Sequence, residues 1–349
     1  MRMILYTGIH QKNNGIIAWE YNWENKLFSL LFEKSEVQNI TYLCKSTDAP
    51  YLFAAGEYDG QGMIAVYRII SEGELQLLTS YIYKKGTFSH LQSSKDGKLL
   101  FASCYGTGEV LIFSVVAELP KLEMVKSFMF EGSGPNVKRQ ESSHPHSVYL
   151  SPEERLAIVS DLGADRLYML SIEQKSKIVK FEFEWKATPG CGPRHIAFHP
   201  DGKWCYLLTE LSSEIYVFTY EESWKNIQKI SALPESFVGE NLAADILVSK
   251  DGKYLYASNR GCNNVSVFKI EQDTGLLHFC KSVPTKGWTR AIQLSEKEEI
   301  FFALNEEYAD SIGELEAFSM NGGLPEQAVS NRRCIFAYSF CAIEQDAYI

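Results

Sequence analysis

Eight polar side chains between residues 146 and 290 of this 349-residue chain have types that could act together: His146, Asp161, Arg194, His195, Glu210, Asp245, Arg260 and Arg290. Three guanidiniums in one place would hold a phosphate or a carboxylate through charge-assisted, bidentate hydrogen bonds. An imidazole and a carboxylate beside them would add general acid–base capacity near neutral pH. The chemistry requires convergence, since His146 and Arg290 alone are 144 residues apart. No local motif joins them, so a larger pattern must.

That pattern is a repeat. Seven short stretches are copies of one another: MILYTGI from Met3, YLFAAGE from Tyr51, LLFASCY from Leu99, LAIVSDL from Leu156, WCYLLTE from Trp204, YLYASNR from Tyr254 and IFFALNE from Ile300. Their starts lie 48, 48, 57, 48, 50 and 46 residues apart. A period in the forties with several strands per unit marks a β-propeller, in which each unit buries its apolar faces against its neighbours. In the clearest unit, Gly192–Pro200 alternates in polarity as a strand, Asp201-Gly202-Lys203 is a hairpin turn, and WCYLLTE and Glu214–Tyr220 follow as strands, with a weaker outer strand near Ile227–Leu233. The turn recurs as Asp96-Gly97-Lys98 and Asp251-Gly252-Lys253, and as Pro152-Glu153-Glu154 in another unit. The fold class is therefore all-β: one domain over residues 1–349, a seven-bladed propeller of four antiparallel strands per blade around one continuous ring-shaped core. The first heptamer begins at residue 3, leaving no room for an inner strand in blade one. The late stretch Cys334–Phe340 is predicted to insert there and close the ring, removing the open edges.

In an antiparallel blade, the innermost strand begins on the face where the second strand ends. Aligned on the turns, the first inner-strand position reads Thr41, Ser89, His146, Arg194, Ala244 and Arg290, and the next reads Tyr42, His90, Ser147, His195, Asp245 and Ala291. The second strands end at Asp161, Glu210, Arg260 and Asn305-Glu306, among others. All eight polar residues thus fall around one mouth of the central channel. Two outcomes stay open on residues alone. The charges either serve an anionic ligand or pair only with each other, as in Arg194–Glu210 or Asp161–Arg166.

The net charge of −10 and the pI near 5.3 argue against nucleic acid or an anionic membrane as partner. The eight cysteines show no C-x-x-C pair, and Cys104 and Cys205 sit inside repeated strands as small hydrophobes. The start Met-Arg-Met-Ile-Leu offers no signal-peptide apolar region, and no run reaches the roughly 18 apolar residues of a membrane span. A reduced, cytoplasmic protein is expected. His144 with His146, and His195 with His199, lie on one side of a strand, but no third ligand completes a metal site. No G-x-S-x-G elbow is present, and Gly132-Ser133-Gly134 lacks the strand–helix setting of a dinucleotide fingerprint. Neither cofactor nor metal is expected.

Three segments carry a family resemblance: GSGPNVKRQESSHPHSVYLSPEERLAIVSDLGADRLYML (132–170), GCGPRHIAFHPDGKWCYLLTEL (190–211) and DGKYLYASNRGCNNVSVFKI (251–270). They resemble the lactonase family of seven-bladed propellers, which includes cycloisomerase-type 6-phosphogluconolactonases and fungal carboxy-cis,cis-muconate lactonizing enzymes. The resemblance implies metal-independent chemistry on a lactone, with 6-phospho-D-glucono-1,5-lactone as the implied substrate. It assigns the active-site histidine to His146, the glutamate to Glu210 and two arginines to Arg194 and Arg260. On this basis Glu210 or His146 would activate water, Arg194 would hold the oxyanion, and Arg260 and Arg290 would hold the phosphate or carboxylate, with His195, Asp161 and Asp245 lining the site. The expected partner is a small-molecule anionic lactone, bound by a monomer or weak homo-oligomer. Other sugar-lactone hydrolysis, muconate-type cycloisomerisation and a non-enzymatic ligand-binding or protein-interaction propeller are the alternatives. Two departures from the family pattern touch the pocket rim: Trp288-Thr289 before Arg290 in place of a Pro-Arg pair, and Cys104 where an Asn usually precedes Tyr-Gly.

Overall fold

In the computed structural model, which describes residues 2–11, 14–116, 121–173, 176, 178–220, 224–306, 313–334 and 337–344, the described chain forms seven four-stranded antiparallel sheets. Blades two to seven follow chain order from the inner to the outer strand. Their inner strands are Gln38–Lys45, His90–Ser93, Pro145–Leu150, Pro193–Phe198, Leu242–Val248 and Trp288–Leu294. The repeated heptamers are the second strands, and their burial explains their composition. Leu99–Cys104 and Trp204–Thr209 are buried at every position, because each such strand is covered by a neighbouring blade on both faces. Strands buried on two sides read as continuous apolar runs instead of alternating ones. The outer strands, such as Lys121–Met129, face solvent along most of their length.

The core is divided more finely than a single ring. It falls into seven apolar clusters, each between two successive blades, such as Ile158, Met169, Cys205 and Phe218 between blades four and five. The cluster joining blade seven to blade one packs Phe302 and Leu304 against Met3, Leu5 and Tyr21. Ring closure is therefore apolar as well as hydrogen-bonded. The closing strand is Ala337–Glu344, innermost in blade one, with Gly8 opposite Ser339 and Met3 opposite Glu344. Its place is the one expected, but its span lies further along the chain than Cys334–Phe340. Cys334 is buried just before it, its Sγ 3.5 Å from Thr7 Oγ1, and Ile335 and Phe336 lie outside the described residues.

The Asp-Gly turns behave as their chemistry requires. Asp201 Oδ1 and Asp251 Oδ1 each accept the amide two residues on at 3.0 Å, and Gly202 and Gly252 take φ of 79° and 70°. In blade four Glu154 adopts φ 54° in the corresponding turn. These turns hold the face of the disc opposite to the polar mouth. There His199 bridges two of them, with Nδ1 2.6 Å from Asp201 Oδ1 and Nε2 3.0 Å from Gly252 O.

Candidate active site

The inner strands do not run straight into the channel. Their pairing with the second strands slips at Pro145/Ser147, Pro193/His195 and Thr289/Ala291, leaving His146, Arg194 and Arg290 as bulge residues in blades four, five and seven. Blade six slips between Ala243 and Ile246, across Ala244 and Asp245. A bulge re-aims the side chain it frees, and here the same irregularity recurs at the same height in four adjacent blades. The carbonyls released are not left empty. Ser89 Oγ donates to His146 O at 3.0 Å, Ser147 Oγ donates to Arg194 O, and Arg194 Nε donates to Ala244 O at 2.6 Å. The bulges of blades four, five and six are thus each capped by a side chain of the preceding blade.

Glu210, at the end of its second strand and 1% exposed, is the hub of the mouth. Arg194 Nη1 lies 2.6 Å from its Oε2, Arg260 Nη2 3.0 Å from the same oxygen, and Arg139 Nη2 2.6 Å from Oε1. Arg260 and Arg290 also share Glu306, at 3.6 and 2.9 Å. A cavity of about 250 Å³ is lined by Arg139, Arg194, Arg260, Arg290, His146, Tyr105 and Glu210, among others. Four guanidiniums against one carboxylate leave its lining strongly positive, in a chain whose net charge is −10. A second chamber of about 260 Å³ shares Thr41, Ser89, His146, Arg194 and Arg290 with the first, and adds Tyr42, Tyr149, His195, Asp245 and Gln293.

Burial alone would raise the Glu210 carboxyl, but Arg260, Arg194 and Arg139 outweigh it and hold it far below the usual carboxylate range. It is a firmly ionised anchor and a correspondingly weak base. Burial lowers Arg194 to about 10, against the opposing pull of Glu210, so it stays charged at neutral pH. Burial, with the Arg194 charge, holds His146 well below the ordinary imidazole value, so its ring is neutral. Arg194 Nη1 donates to His146 Nε2, which assigns the proton to Nδ1. That Nδ1 is sealed from solvent and has no partner among the described residues.

Of the eight residues nominated by sequence, seven meet as expected and one does not. Asp161 is fully buried beside the blade-four loop, accepting Ser143 Oγ, the His144 amide at 2.8 Å, the Ala164 amide at 2.9 Å and Tyr168 OH at 3.3 Å. It organises the segment before His146 and lines neither chamber. The Asp161–Arg166 pair does not form; Arg166 pairs with Glu184 at 2.9 Å. His144 stacks on Tyr105 at 4.3 Å, with Nδ1 on Tyr105 O, instead of sharing a ligand with His146. Among the described residues no group of three or more His, Cys, Asp or Glu could hold a metal ion.

Arg139 was missed by the repeat because it lies outside it, between the outer strand of blade three and the inner strand of blade four. The available signal was a lone arginine in the long segment preceding HPHSV. Glu306 was in the alignment but carried no distinguishing partner until Arg260 and Arg290 were seen against it.

Comparisons with known proteins bear on the family and the fold. Residues 4–324 match the family "Lactonase, 7-bladed beta-propeller". The chain is 31% identical over 313 residues to the 6-phosphogluconolactonase of Bacillus subtilis, spanning 88% of this chain and 89% of that one. Among solved structures, the periplasmic gluconolactonase of Pseudomonas aeruginosa has a TM-score of 0.88 at 24% identity, covering 99% of both chains. A protein from Lactobacillus plantarum has a TM-score of 0.88 at 23% identity, covering 98% and 99%. At such identities the two structures speak for the fold alone. The full-length match, the propeller and the 31% identical relative together establish that this chain belongs to the lactonase family of seven-bladed β-propellers.

Proposed function

We propose that this protein hydrolyses a phosphorylated sugar-acid lactone, 6-phospho-D-glucono-1,5-lactone, to the open-chain aldonate. The observation that carries the reading is the cluster of three arginines on a buried, ionised Glu210 at one channel mouth, with Arg290 beside them on Glu306. It is supported by the Bacillus subtilis relative, whose name states that activity. Glu210 holds Arg194, Arg260 and Arg139 in register, so the charge needed by a developing oxyanion is placed before substrate arrives. Preorganised charge of this kind commonly supplies the largest catalytic contribution, with about 10²–10³ in rate for one donor. Arg194 faces the lactone carbonyl. Arg260, Arg290 and the rim residue Arg139 hold the phosphate and fix the ring against it.

The test is a buffered assay of lactone loss, with the spontaneous rate subtracted, for the phosphorylated and unphosphorylated lactones in parallel. The expected result is turnover above background with a preference for the phosphorylated substrate, and loss of most of that excess in Arg194→Gln. Equal rates with and without enzyme for both lactones would refute the proposal.

A further inference from the structure

The second chamber contains a further acid–base device whose hydrogen bonds involve none of the arginines. His195 Nδ1 lies 2.8 Å from Asp245 Oδ1. Asp245 is itself fixed: Oδ1 accepts the Ile246 amide at 3.0 Å, Oδ2 accepts the Ile292 amide of blade seven at 3.0 Å, and its own amide donates to Ser258 Oγ at 2.9 Å. The carboxylate therefore assigns the His195 proton to Nδ1 and leaves the Nε2 lone pair outward. Nε2 has no hydrogen-bond partner among the described residues, yet it is not sealed off as His146 Nδ1 and His90 Nε2 are. His195 lines the chamber that also contains His146, Arg194 and Arg290.

The ring is held on its other sides by aromatics. His146 stands 5.3 Å away at 64°, His90 5.6 Å away at 70°, and Tyr149 5.8 Å away at 66°, centroid to centroid. The groups facing it are thus Asp245 from blade six, His146 and Tyr149 from blade four, His90 from blade three, the neighbouring Arg194 and, from blade seven, the Arg290 charge. Neither other candidate presents a basic lone pair. Glu210 is saturated by three guanidiniums, and His146 Nε2 is occupied by Arg194.

We infer that His195 is the general base of the lactone hydrolysis and that Asp245 is its positioning residue. The inference rests on the lactone-hydrolase reading above and assigns a role to that same site. Water in the second chamber gives a proton to His195 Nε2 as its oxygen bonds to the lactone carbonyl carbon, and the carbonyl π electrons move to the oxygen facing Arg194. When the tetrahedral intermediate collapses, the bond to the ring oxygen breaks. The imidazolium returns its proton to that leaving oxygen, forming the hydroxyl, and the new carboxyl group ionises into solvent. Burial, partly offset by Asp245, lowers the His195 pKa, so the ring is neutral and able to accept a proton at pH 7.

The experiment is a pH–rate profile from pH 5 to 8, corrected for spontaneous opening, on wild type, His195→Gln, His195→Ala and Asp245→Asn, with thermal melts of each. The wild-type kcat/KM should fall on the acid side, below the ordinary imidazole value of about 6.5. His195→Gln should lose at least 100-fold in kcat and the acid limb with it, with KM nearly unchanged. Added imidazole should restore His195→Ala at least tenfold. Asp245→Asn should lower kcat and displace the limb while the protein still melts cooperatively. If the dyad is only a strut between blades, Asp245→Asn will lower the melting temperature and leave the limb where it was, which overturns the inference. An active wild type with an equally active His195→Gln also overturns it and leaves the lactonase reading standing. A wild type no faster than buffer overturns both.

Discussion

Replacing Glu210 by Gln tests the electrostatic core of the site without changing its volume. Glu210 Oε2 holds Arg194 at 2.6 Å and Arg260 at 3.0 Å, while Oε1 holds Arg139 at 2.6 Å. Arg194 and Arg260 are only 3% and 5% exposed, so neither can be resolvated by turning outward. Gln offers one acceptor oxygen and no charge, leaving two buried guanidiniums beside each other, with Glu306 still against Arg260 and Asp245 the remaining carboxylate acting on Arg194. Removing one partner of a buried ion pair costs roughly 3–5 kcal/mol. The expected loss is in the upper part of that range, tempered by Glu306, and should be read from urea unfolding with an unchanged m-value. Its pH dependence has a definite sign. The folded-state pKa of Glu210 is depressed, so its contribution is complete above the unfolded carboxyl value of about 4.3 and is lost as pH falls through the folded value. The wild-type and mutant stabilities should therefore run parallel from pH 5.5 to 8 and converge only in acid. The same change should reduce kcat about 100-fold, because Arg194 loses the carboxylate that orients it. A Glu210→Gln protein within 1 kcal/mol of wild type, or one whose stability deficit disappears near neutral pH, would refute this account.

Arg139 is the most exposed cation at the mouth, its side chain 35% accessible, and is held by Glu210 alone among the ion pairs described. Arg139→Gln should raise KM for a phosphorylated lactone about tenfold and leave that for the unphosphorylated analogue within twofold, as initial-rate kinetics would show. Asp161→Ala should cost about 2–4 kcal/mol in a denaturant melt, because two buried amides and two hydroxyls lose their acceptor. A chain ending before Arg333 lacks the strand that pairs with Met3–Ile9, exposing an apolar sheet edge. It should fail to give a soluble monomer in size-exclusion chromatography, and a folded monomeric product would overturn the closure argument.

Much of this architecture was legible because a repeat turns one sequence into seven aligned copies. Fully buried second strands must be apolar at every position, and tight hairpins need Asp-Gly chemistry, so strand order and turns could be read off residue types alone. Alignment then carried His146, Arg194, His195, Glu210, Asp245, Arg260 and Arg290 to one face, since equivalent positions in successive blades have equivalent heights. Asp161 shows where that logic stops. It has the right height in its blade, but the neighbouring loop supplies amide and hydroxyl donors that satisfy its carboxylate away from the channel.

Which residues share a mouth is thus a property of the repeat, written in spacing and residue type. Which atom of each residue is available is not. The inner-strand bulges, the saturation of Glu210 by three guanidiniums, the reach of Arg139 from outside the repeat and the outward lone pair of His195 are all outcomes of packing between blades. Hydrogen bonds and burial depend on neighbours tens of residues away in the chain, and only the closed ring decides which neighbours those are.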